Sequence, residues 1–364
     1  MKAGLRFILV FIMGVGVFTK TLAQDYRIIG YYAGPSDRID SFDVGKLTHL
    51  IYCFGGIKAS KFHLWRAEDT VTIHKMVGYK KQYPDLKIML SLGGWGGCGP
   101  CSETFSTEEG RTTFARSVRE ISSYFKTDGI DLDWEYPVIA GYPGHRYHSE
   151  DKPNFTALLR ALRLECGPGF EISFAAGGFS AYIDSAIDWK AVEPDIDFIN
   201  IMSYDLVHGN STRSGHHTPL YSTSEQMEST DHAVNRLLAL GMPAHKLIIG
   251  AAFYGRYFIA DTATKASLYQ ASRFWHSFSW KHIADSLSAE NGYIQYWDAE
   301  AQAPYALHQT RPIMATYDNR RSVRLKARYV RNRKLGGMMF WQLVDDQYED
   351  GLLATIFSVL GWRD

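Results

Sequence analysis

Two kinds of hydrophobic pattern alternate along the chain. Short runs rich in β-branched and aromatic residues, which predict strands, occupy residues 27–32, 47–54, 87–92, 129–134, 171–176, 197–202, 246–252 and 337–341. Stretches with the spacing of amphipathic helices occupy residues 70–83, 111–125, 152–165, 229–240, 321–333 and 351–360. Strands that alternate with helices form parallel βαβ units. Eight such units predict an α/β fold, a (β/α)₈ TIM barrel, whose active site lies at the carboxyl ends of the strands.

One interval interrupts this alternation. Between residues 257 and 317, strand-like and aromatic segments follow one another, and no simple βα unit fits. A loop of this length without structure of its own is uncommon in a compact domain. We therefore predict a small α+β insertion domain at residues 257–317, after the seventh strand. The barrel is then formed by residues 24–256 and 318–364.

One predicted strand carries an unusual set of acidic residues. Residues 128–137 read Asp-Gly-Ile-Asp-Leu-Asp-Trp-Glu-Tyr-Pro. Because side chains alternate between the faces of a strand, Asp131, Asp133 and Glu135 share one face, and apolar side chains occupy the other. Carboxylates this close repel one another and lose solvation, so at least one pKa should be raised. A raised pKa keeps a carboxylic acid protonated near neutral pH, where it can act as a general acid.

Two plainer interpretations of this stretch are an acidic edge strand and a calcium-binding loop. An EF-hand loop needs glycine at its sixth position and glutamate at its twelfth. The stretch that begins at Asp128 has neither. We therefore favour the catalytic interpretation.

The carboxyl ends of the other predicted strands repeat one chemistry, glycine beside aromatic and polar residues. These segments are GYYAG at 30–34, FGG at 54–56, SLGGW at 91–95, MSYD at 202–205, FYGR at 253–256 and FWQ at 340–342. Glycine lets a ligand approach the backbone closely, and aromatic rings offer flat binding faces. The alternative is that these residues only fill the rim of the barrel. A packing role alone is less favoured, because several strand ends carry residues suited to a binding site and the acidic strand belongs to the same barrel.

The first 23 residues predict a secretory signal peptide. Lys2 and Arg6 precede an apolar run, and Thr-Leu-Ala at 21–23 offers a small-residue cleavage site. An uncleaved anchor is the alternative, but the apolar run ends at Lys20 and is short for a membrane-spanning helix. We therefore expect a secreted, soluble protein, extracellular, periplasmic or on the cell surface, without stable membrane insertion.

The charge balance gives no indication of a nucleic-acid partner. Lysine and arginine together number 39, as do aspartate and glutamate, so no excess of basic residues favours an anionic surface. The pair His216-His217 could suggest a metal site, but no third ligand has a recognisable spacing. We predict neither a metal nor a cofactor.

The four cysteines allow more than one interpretation. Cys98 and Cys101 have the spacing of a thioredoxin-like motif, but they follow a glycine-rich segment after a strand. In an exported protein a local disulfide in this loop is favoured. Cys53 lies in an apolar run and is predicted to be a buried thiol, whereas Cys166 is ambiguous.

The acidic stretch resembles the signature of one enzyme family. Residues 128–137 fit the pattern DxxDxDxE of glycoside hydrolase family 18. Further segments resemble the family in the same order and spacing across nearly the whole mature chain, at 91–94, 202–205, 219–221, 253–256 and 336–341. Residues 297–305, with Tyr317 and Asp318, resemble the insertion domain of its deep-cleft members. The resemblance implies a secreted chitinase that hydrolyses β-1,4-linked N-acetylglucosamine polymers or oligomers.

The resemblance also implies a retaining mechanism in which the substrate supplies its own nucleophile, an exception among glycosidases. Glu135 would protonate the glycosidic oxygen and later act as the base for water. The acetamido carbonyl would attack the anomeric carbon, while Asp133 would orient the acetamido N–H and stabilise the positive charge that forms. Asp131 would hold Asp133, and Tyr204 would donate its hydroxyl to the acetamido oxygen.

A set of substrate-binding residues is implied by the same resemblance. Asp205 would contact the sugar at the cleavage site, Trp341 would form the floor beneath it, and Met202 would pack beside it. Further candidates at the strand ends and in the insertion domain are Tyr32, Phe54, Trp95, Tyr136, Tyr254, Arg256 and Trp297. For most of the aromatic candidates a packing role explains the residue equally well. Trp341 and Tyr254 are the exceptions, because their strand-end positions match the family.

Two other functions stay open at this point. An endo-β-N-acetylglucosaminidase acting on N-glycans would share the fold and mechanism, but its motif commonly departs from the Trp-Glu-Tyr-Pro ending at 134–137. A non-catalytic chitin-binding lectin would usually lose the acid at the position of Glu135. Chitin or a chitooligosaccharide is therefore the expected partner, and a monomer is the default expectation.

Overall fold

The computed structural model describes residues 26–261 and 265–361, so the predicted signal peptide lies outside the described residues. The strands, in chain order, are β1 (Arg27–Tyr32), β2 (His49–Lys58), β3 (Lys61–His63), β4 (Lys87–Gly93), β5 (Gly129–Asp133), β6 (Glu171–Gly177), β7 (Phe198–Met202), β8 (Leu247–Ala252), β9 (Tyr254–Ala260), β10 (Ser272–Ser279), β11 (Tyr293–Asp298), β12 (Ala303–His308), β13 (Ile313–Tyr317) and β14 (Gly337–Trp341). The helices are α1 (Ala67–Gly78), α2 (Cys101–Phe105), α3 (Glu108–Phe125), α4 (Asp151–Cys166), α5 (Ser180–Ser185), α6 (Trp189–Val192), α7 (Thr230–Ala239), α8 (Ile283–Ser286), α9 (Arg320–Arg333) and α10 (Leu352–Leu360).

Eight of the described strands close into a parallel barrel. Their order around the ring is β1, β2, β4, β5, β6, β7, β8 and β14, and β14 pairs with β1 to close it. Helices follow in the connections, so the predicted (β/α)₈ TIM barrel is confirmed. The largest departure from the predicted strands is β2, which continues to Lys58 and turns back through the antiparallel β3.

Side chains of the barrel strands alternate between two buried layers. The inner cluster consists of Ile29, Tyr31, Ile51, Cys53, Met89, Ala175, Phe198, Met202, Ile248 and Met339. Their neighbours along the strands, such as Ile28, Leu90 and Ile130, pack in the outer layer against the helices. Because both faces are buried, these strands read as continuous apolar runs. Cys53 is a buried free thiol, as predicted.

The longer helices lie within a few residues of the amphipathic stretches. α3, for example, begins after Thr107, whose side chain accepts a hydrogen bond from the Gly110 N–H, and ends at Lys126 in the left-handed conformation. The pattern does not predict α2, α5, α6 or α8, because helices of four to six residues are too short to show a helical period. Within residues 26–261 and 265–361, no helix is both long and apolar enough to cross a membrane.

A second sheet follows the seventh barrel strand. It is antiparallel, with the order β10, β9, β13, β12, β11, and α8 lies in one of its connections. One face buries its own hydrophobic cluster, consisting of Tyr257, Leu287, Tyr293, Ala306, Ile313, Ala315 and Tyr317. The predicted α+β insertion after the seventh strand is therefore present. Its first strand begins at Tyr254, three residues before the predicted start, because β9 follows β8 after only Phe253.

A buried ion pair joins the end of this insertion to the barrel. Lys326 of α9 lies 2.7 Å from the Asp318 carboxylate, and both side chains are fully buried. Asp318 also accepts hydrogen bonds from the Ala252 N–H at 3.1 Å and from the Ser322 hydroxyl at 2.6 Å. Because a buried carboxylate needs compensating donors, these contacts tie the residue after β13 to the end of β8.

Cys98 and Cys101 form a disulfide, the local bridge that the sequence favours over a redox motif. The bridge closes the turn between β4 and α2. It lies beside Gly93, where an added Cβ would be 2.3 Å from the Asp133 carbonyl oxygen and 3.2 Å from the Cys98 sulphur. Glycine is therefore required where the bridged loop passes the acidic strand.

Candidate active site

The acidic side chains of β5 converge in the barrel. Asp131 and Asp133 belong to β5 and Glu135 follows it, and their exposed fractions are 0%, 5% and 9%. The strand register places Asp131 opposite Ser91 of β4 and Ser173 of β6. The shared acidic face inferred from the sequence is thus a buried face, and each carboxyl has a different environment.

Uncharged donors on neighbouring strands hold Asp131. One carboxylate oxygen accepts hydrogen bonds from the Tyr31 hydroxyl at 3.0 Å and the Ser91 hydroxyl at 2.9 Å. The other accepts from the Ser173 hydroxyl at 2.7 Å and the Asn200 amide at 3.1 Å. Burial raises the pKa of Asp131, although these hydrogen bonds act in the opposite direction. Asp131 is therefore fixed in position without a cation beside it in this network.

Asp133 retains an acceptor that the protein does not use. Its Oδ1 is buried and has no hydrogen-bond partner among the described residues. Burial, the charge of Glu135 and the charge of Asp131 together raise the pKa of Asp133 well above its usual range. Buried polar atoms are rarely left unpaired in a folded protein. This oxygen is therefore available to an N–H of a ligand.

Glu135 has the electrostatics of a general acid. Burial raises its pKa to about 7, the charge of Asp205 acts in the same direction, and a hydrogen bond with Tyr136 opposes the shift. A carboxyl group with this pKa is substantially protonated at neutral pH and can also return as a base. The residue thus combines both protonation states within the working range of an enzyme.

Asp205 has the opposite electrostatics. Its half-buried carboxylate forms a two-point ion pair with the guanidinium of Arg256 on β9. Burial acts to raise the pKa of Asp205, but the His217 imidazole 3.5 Å away, the two hydrogen bonds from Arg256 and the charge of Arg256 hold that pKa well below its usual range. Asp205 is therefore a fixed negative charge facing the protonatable carboxyl of Glu135.

Tyr204 and its neighbours lie at the ends of β7 and β8. Met202 ends β7 and belongs to the inner cluster. The Tyr204 hydroxyl lies 3.8 Å from the Met339 sulphur. A thioether is a weak acceptor, so the hydroxyl remains available for a stronger one. The Tyr254 ring meets Tyr204 edge-on at 6.2 Å, and the Arg256 guanidinium lies 5.5 Å from the Tyr254 ring centre.

Trp341, the last residue of β14, lies in an aromatic group at the end of the barrel. Phe54 stacks on it with ring centres 5.5 Å apart and planes at 16°, and Tyr31 lies 6.0 Å away. The approach of Phe54 requires Gly94, where an added Cβ would lie 2.5 Å from the Phe54 ring. The Trp341 indole is therefore a supported flat surface near the Asp131 cluster.

Trp95 lies on the loop after β4 and is 54% exposed. Its ring contacts Tyr142 edge-on at 5.7 Å, and Tyr142 is itself 40% exposed. An exposed indole held by a second aromatic ring is suited to stacking on a sugar. Sequence reasoning selected Trp95 but missed Tyr142, which lies in a loop without a strand-end pattern.

The structure contradicts the predicted substrate contact of Tyr32. This side chain has no exposed surface and belongs to the outer hydrophobic layer, and its hydroxyl donates to the Pro35 carbonyl oxygen. Its neighbour Tyr31 belongs to the inner cluster and hydrogen-bonds Asp131. Side chains alternate along β1, so only one of the two tyrosines can face the site.

Two other predicted aromatic contacts have packing partners. Tyr136 lies against Phe179 and Tyr182, with ring centres 5.5 and 5.4 Å away. Trp297 carries the Arg321 guanidinium 3.8 Å from its ring centre, so one face of the indole is occupied. Sugar contacts by Tyr136 and Trp297 stay predictions.

Sequence reasoning missed several polar residues of the site. The donors to Asp131, and His217 beside Asp205, lie on strands and loops far from residues 128–137 in the chain. Ser91 belongs to the strand-end segment at 91–95, but its hydrogen bond to Asp131 depends on the register between β4 and β5. Within the two described ranges, no group of three or more potential ligands could hold a metal ion.

The chain is similar to glycosidases of known family. The family model for glycosyl hydrolases family 18 matches residues 27–346. Chitinase A1 of Niallia circulans is 26% identical over 404 residues, which cover 90% of this chain and 58% of that protein. The chain therefore spans little more than half the length of that curated relative.

Solved structures share the fold over almost the whole chain. The glycoside hydrolase family 18 N-acetylglucosaminidase from Paenibacillus barengoltzii is 32% identical, with a TM-score of 0.83 over 92% of this chain and 100% of that one. Chitinase ChiA74 from Bacillus thuringiensis is 25% identical, with a TM-score of 0.85 over 93% of this chain and 70% of that one. The barrel, the acidic strand and the match to residues 27–346 agree, and the chain belongs to the glycosyl hydrolases family 18.

Proposed function

We propose that this protein is a retaining chitinase that hydrolyses β-1,4-linked N-acetylglucosamine polymers or oligomers. One observation carries the proposal. Glu135, with a pKa of about 7, stands two residues from Asp133, whose buried Oδ1 has no partner among the described residues. One carboxyl can donate a proton and the other can accept an amide N–H. Substrate-assisted cleavage of an N-acetylated sugar needs these two groups together.

In the first step, the Glu135 carboxyl transfers its proton to the glycosidic oxygen as the bond from that oxygen to the anomeric carbon breaks. The acetamido carbonyl oxygen of the same sugar forms a bond to the anomeric carbon from the opposite face. The product is a cyclic oxazolinium ion with one positive charge. Water then attacks the anomeric carbon and Glu135 takes a proton from it. The bond between the anomeric carbon and the acetamido oxygen breaks, which restores the neutral acetamido group on the sugar. Two displacements retain the anomeric configuration.

Asp133 has the position and charge to hold this intermediate. Its Oδ1 would accept the acetamido N–H and so turn the carbonyl oxygen towards the anomeric carbon. Asp131, held by its neighbouring strands, keeps negative charge close to Asp133 and raises its pKa. Two carboxyl groups buried side by side would stabilise the positive charge of the intermediate.

The remaining side chains would bind the sugar. The Tyr204 hydroxyl, whose partner is the weak thioether acceptor of Met339, is suited to the acetamido oxygen. The Trp341 indole is suited to the underside of the sugar ring. The Asp205–Arg256 pair would offer fixed hydrogen-bonding groups to sugar hydroxyls. Chitin or a chitooligosaccharide is the proposed partner for this set of groups.

The test is hydrolysis of a defined chitooligosaccharide by the wild type and by Glu135→Gln, with product sizes and the first-formed anomer measured. β-Anomeric products from the wild type, with turnover lost in Glu135→Gln but oligosaccharide binding retained, are expected. α-Anomeric products, or a near-normal rate in Glu135→Gln, would exclude this mechanism. Binding without cleavage would indicate a lectin. Neither binding nor cleavage would direct the next assay to an N-glycosylated protein.

A second candidate function is the release of single N-acetylglucosamine units from chain ends. It is favoured by the likeness to the family 18 N-acetylglucosaminidase from Paenibacillus barengoltzii, whose full length this chain covers. The same oligosaccharide assay separates the two candidates. Monomer as the sole early product would favour the second, and early dimers or larger fragments would favour the chitinase.

We also propose that the protein is exported. Support comes from the basic and apolar pattern of residues 1–23 and from the Cys98–Cys101 disulfide, which is expected in an oxidising compartment. Cell fractionation with N-terminal sequencing should find a mature chain that begins near Gln24 outside the cytoplasm. A cytoplasmic protein that keeps Met1 and reduced Cys98 and Cys101 would contradict export.

A further inference from the structure

The adjacent residues His216 and His217 have separate environments, and the proposed mechanism uses neither. Both are buried, with exposed fractions of 1% and 0%. The Nε2 of His216 lies 3.0 Å from the Asp298 carboxylate at the end of β11. The Nδ1 of His217 lies 3.5 Å from the Asp205 carboxylate. One histidine therefore contacts the insertion and the other contacts the candidate active site.

The backbone of His217 is attached on both sides. Its N–H donates to the Thr316 hydroxyl on β13 at 3.0 Å, and its carbonyl oxygen accepts from the Leu206 N–H at 3.0 Å. Leu206 follows Asp205 directly in the chain. The His217 peptide thus joins the insertion sheet to the segment that carries Asp205, and its ring packs at 5.3 Å from Tyr254.

The imidazole of His217 has no settled hydrogen bond. Among the described residues, neither ring nitrogen has a partner within hydrogen-bond geometry. A buried donor left unpaired costs on the order of 1–3 kcal/mol. The 3.5 Å separation from Asp205 is long for a hydrogen bond. Hydrogen bonds in an active site are often long without substrate and shorten when it binds.

We propose that His217 is a positioning residue: its neutral imidazole donates from Nδ1 to Asp205 and, with Arg256, locks that carboxylate in the orientation that binds the sugar. The proposal rests on the proposed glycosidase function and assigns a role to a residue beyond it. Arg256 pairs with both oxygens of the Asp205 carboxylate, and Tyr254 lies beside the same group. His217 would add a donor from a different segment of the chain, with its Nδ1 3.5 Å from Oδ1.

The charges around the ring agree with a neutral donor. The groups that face His217 are Asp205, Arg256, Tyr254 and Asp318. Burial lowers the pKa of His217 although Asp205 acts to raise it. The ring is therefore neutral at neutral pH, and its single proton has to be on Nδ1 for it to reach Asp205.

The variants His217→Asn and His217→Gln test this contact. The amide nitrogen of asparagine can occupy the position of Nδ1, whereas that of glutamine reaches the position of Nε2. We expect kcat on a chitooligosaccharide to fall at least tenfold in His217→Gln with little change in KM, and to stay within about threefold in His217→Asn.

His216→Gln is the matched control, because it changes the neighbouring buried histidine that contacts Asp298 instead. It should lower Tm and leave kcat on the chitooligosaccharide almost unchanged. Equal losses of kcat in His217→Asn and His217→Gln, or no loss in either, would overturn the role of His217. So would a loss of kcat in His216→Gln as large as that in His217→Gln.

A thermal-stability cycle gives a readout that does not need activity. The losses of stability in His217→Gln and in Asp205→Asn should not add in the double variant if the two side chains are paired. Additive losses would overturn the pairing. If the wild type hydrolyses no chitooligosaccharide, the proposed function fails, and this cycle still decides whether His217 positions Asp205.

Discussion

Two acidic regions of the site differ in their partners. On β5, Asp131 is surrounded by neutral donors, and one oxygen of Asp133 has no partner within the part of the chain that the structure describes. Just after β5, the pKa of Glu135 is raised to about 7. Across the site, Asp205 is paired with Arg256, and its pKa is lowered. Burial acts to raise the pKa of all four carboxyls. The difference shows that the neighbouring charge, more than burial, decides which carboxyls keep a proton.

The same contrast exists within the DxxDxDxE motif. Asp128, at the amino-terminal end of β5, is paired with the Lys80 ammonium at 2.7 Å and accepts the Ile88 N–H at 2.8 Å. This ion pair joins the segment after α1 to the amino-terminal end of β5, which is opposite the carboxyl ends of the strands. The first acidic residue of the motif is therefore structural, and the last two are placed for chemistry.

The largest effect is expected for Asp133→Asn. The substitution would weaken the stabilisation of the proposed positive intermediate. The asparagine amide can accept the acetamido N–H only when its oxygen, and not its NH₂, faces the substrate. We expect kcat to fall about 10²–10³-fold, comparable to the loss of one preorganised electrostatic contact. Asp128→Asn is the matched control in the same motif. It should lower Tm with kcat almost unchanged, and equal losses of kcat in both variants would remove the distinction between the two ends of β5.

A smaller effect is expected on stability in Glu135→Gln. The folded-state pKa of Glu135 lies above its ordinary value of 4.5, so ionisation favours the unfolded chain. Stability contributed by the protonated form is present below pH 4.5 and is lost as the pH rises through about 7. Glutamine cannot ionise, so Glu135→Gln should be more stable than the wild type by about 1–3 kcal/mol at pH 8. Urea unfolding at pH 8 and pH 4 measures this, and an equal gain at both pH values would contradict the raised pKa.

The smallest effect is expected on the alkaline limb of kcat. In the proposed mechanism Glu135 has to be protonated to donate to the glycosidic oxygen, so the rate should fall as the pH rises above about 7. The negative charge of Asp205 helps to raise this pKa, so Asp205→Asn should move the limb of its residual activity to lower pH by less than about one unit. The full pH profile of both proteins is the measurement. A limb that stays in place or moves upward would show that Asp205 does not act on Glu135 electrostatically.

Much of the barrel could be predicted because its information is local. Each strand is buried on both faces and reads as an apolar run, and each long helix has one apolar side. The acidic face was readable for the same reason, since the alternation along residues 131–135 depends only on strand geometry. The short helices and the start of β9 at Tyr254 show no hydrophobic periodicity, so they were not predicted.

Tyr32 shows where this local information fails. Because side chains alternate along a strand, Tyr31 and Tyr32 must face opposite ways, but the alternation does not predict which of them faces the site. That choice depends on how β1 pairs with β2 and β14. Tyr32 was the predicted candidate, whereas the register places Tyr31 beside Asp131.

The sequence by itself determined the order of strands and helices, the insertion after the seventh strand and the shared acidic face, because periodicity and spacing within a few residues specify them. The resemblance to the family indicated which carboxyl of that face is the candidate acid. Only the tertiary structure decided the environment of each carboxyl. Ser173 and Asn200 reach Asp131 through strand pairing, and Arg256 and His217 reach Asp205 from segments about 50 and 12 residues away along the chain. Electrostatic interactions depend on distance in space, and the closed barrel sets those distances.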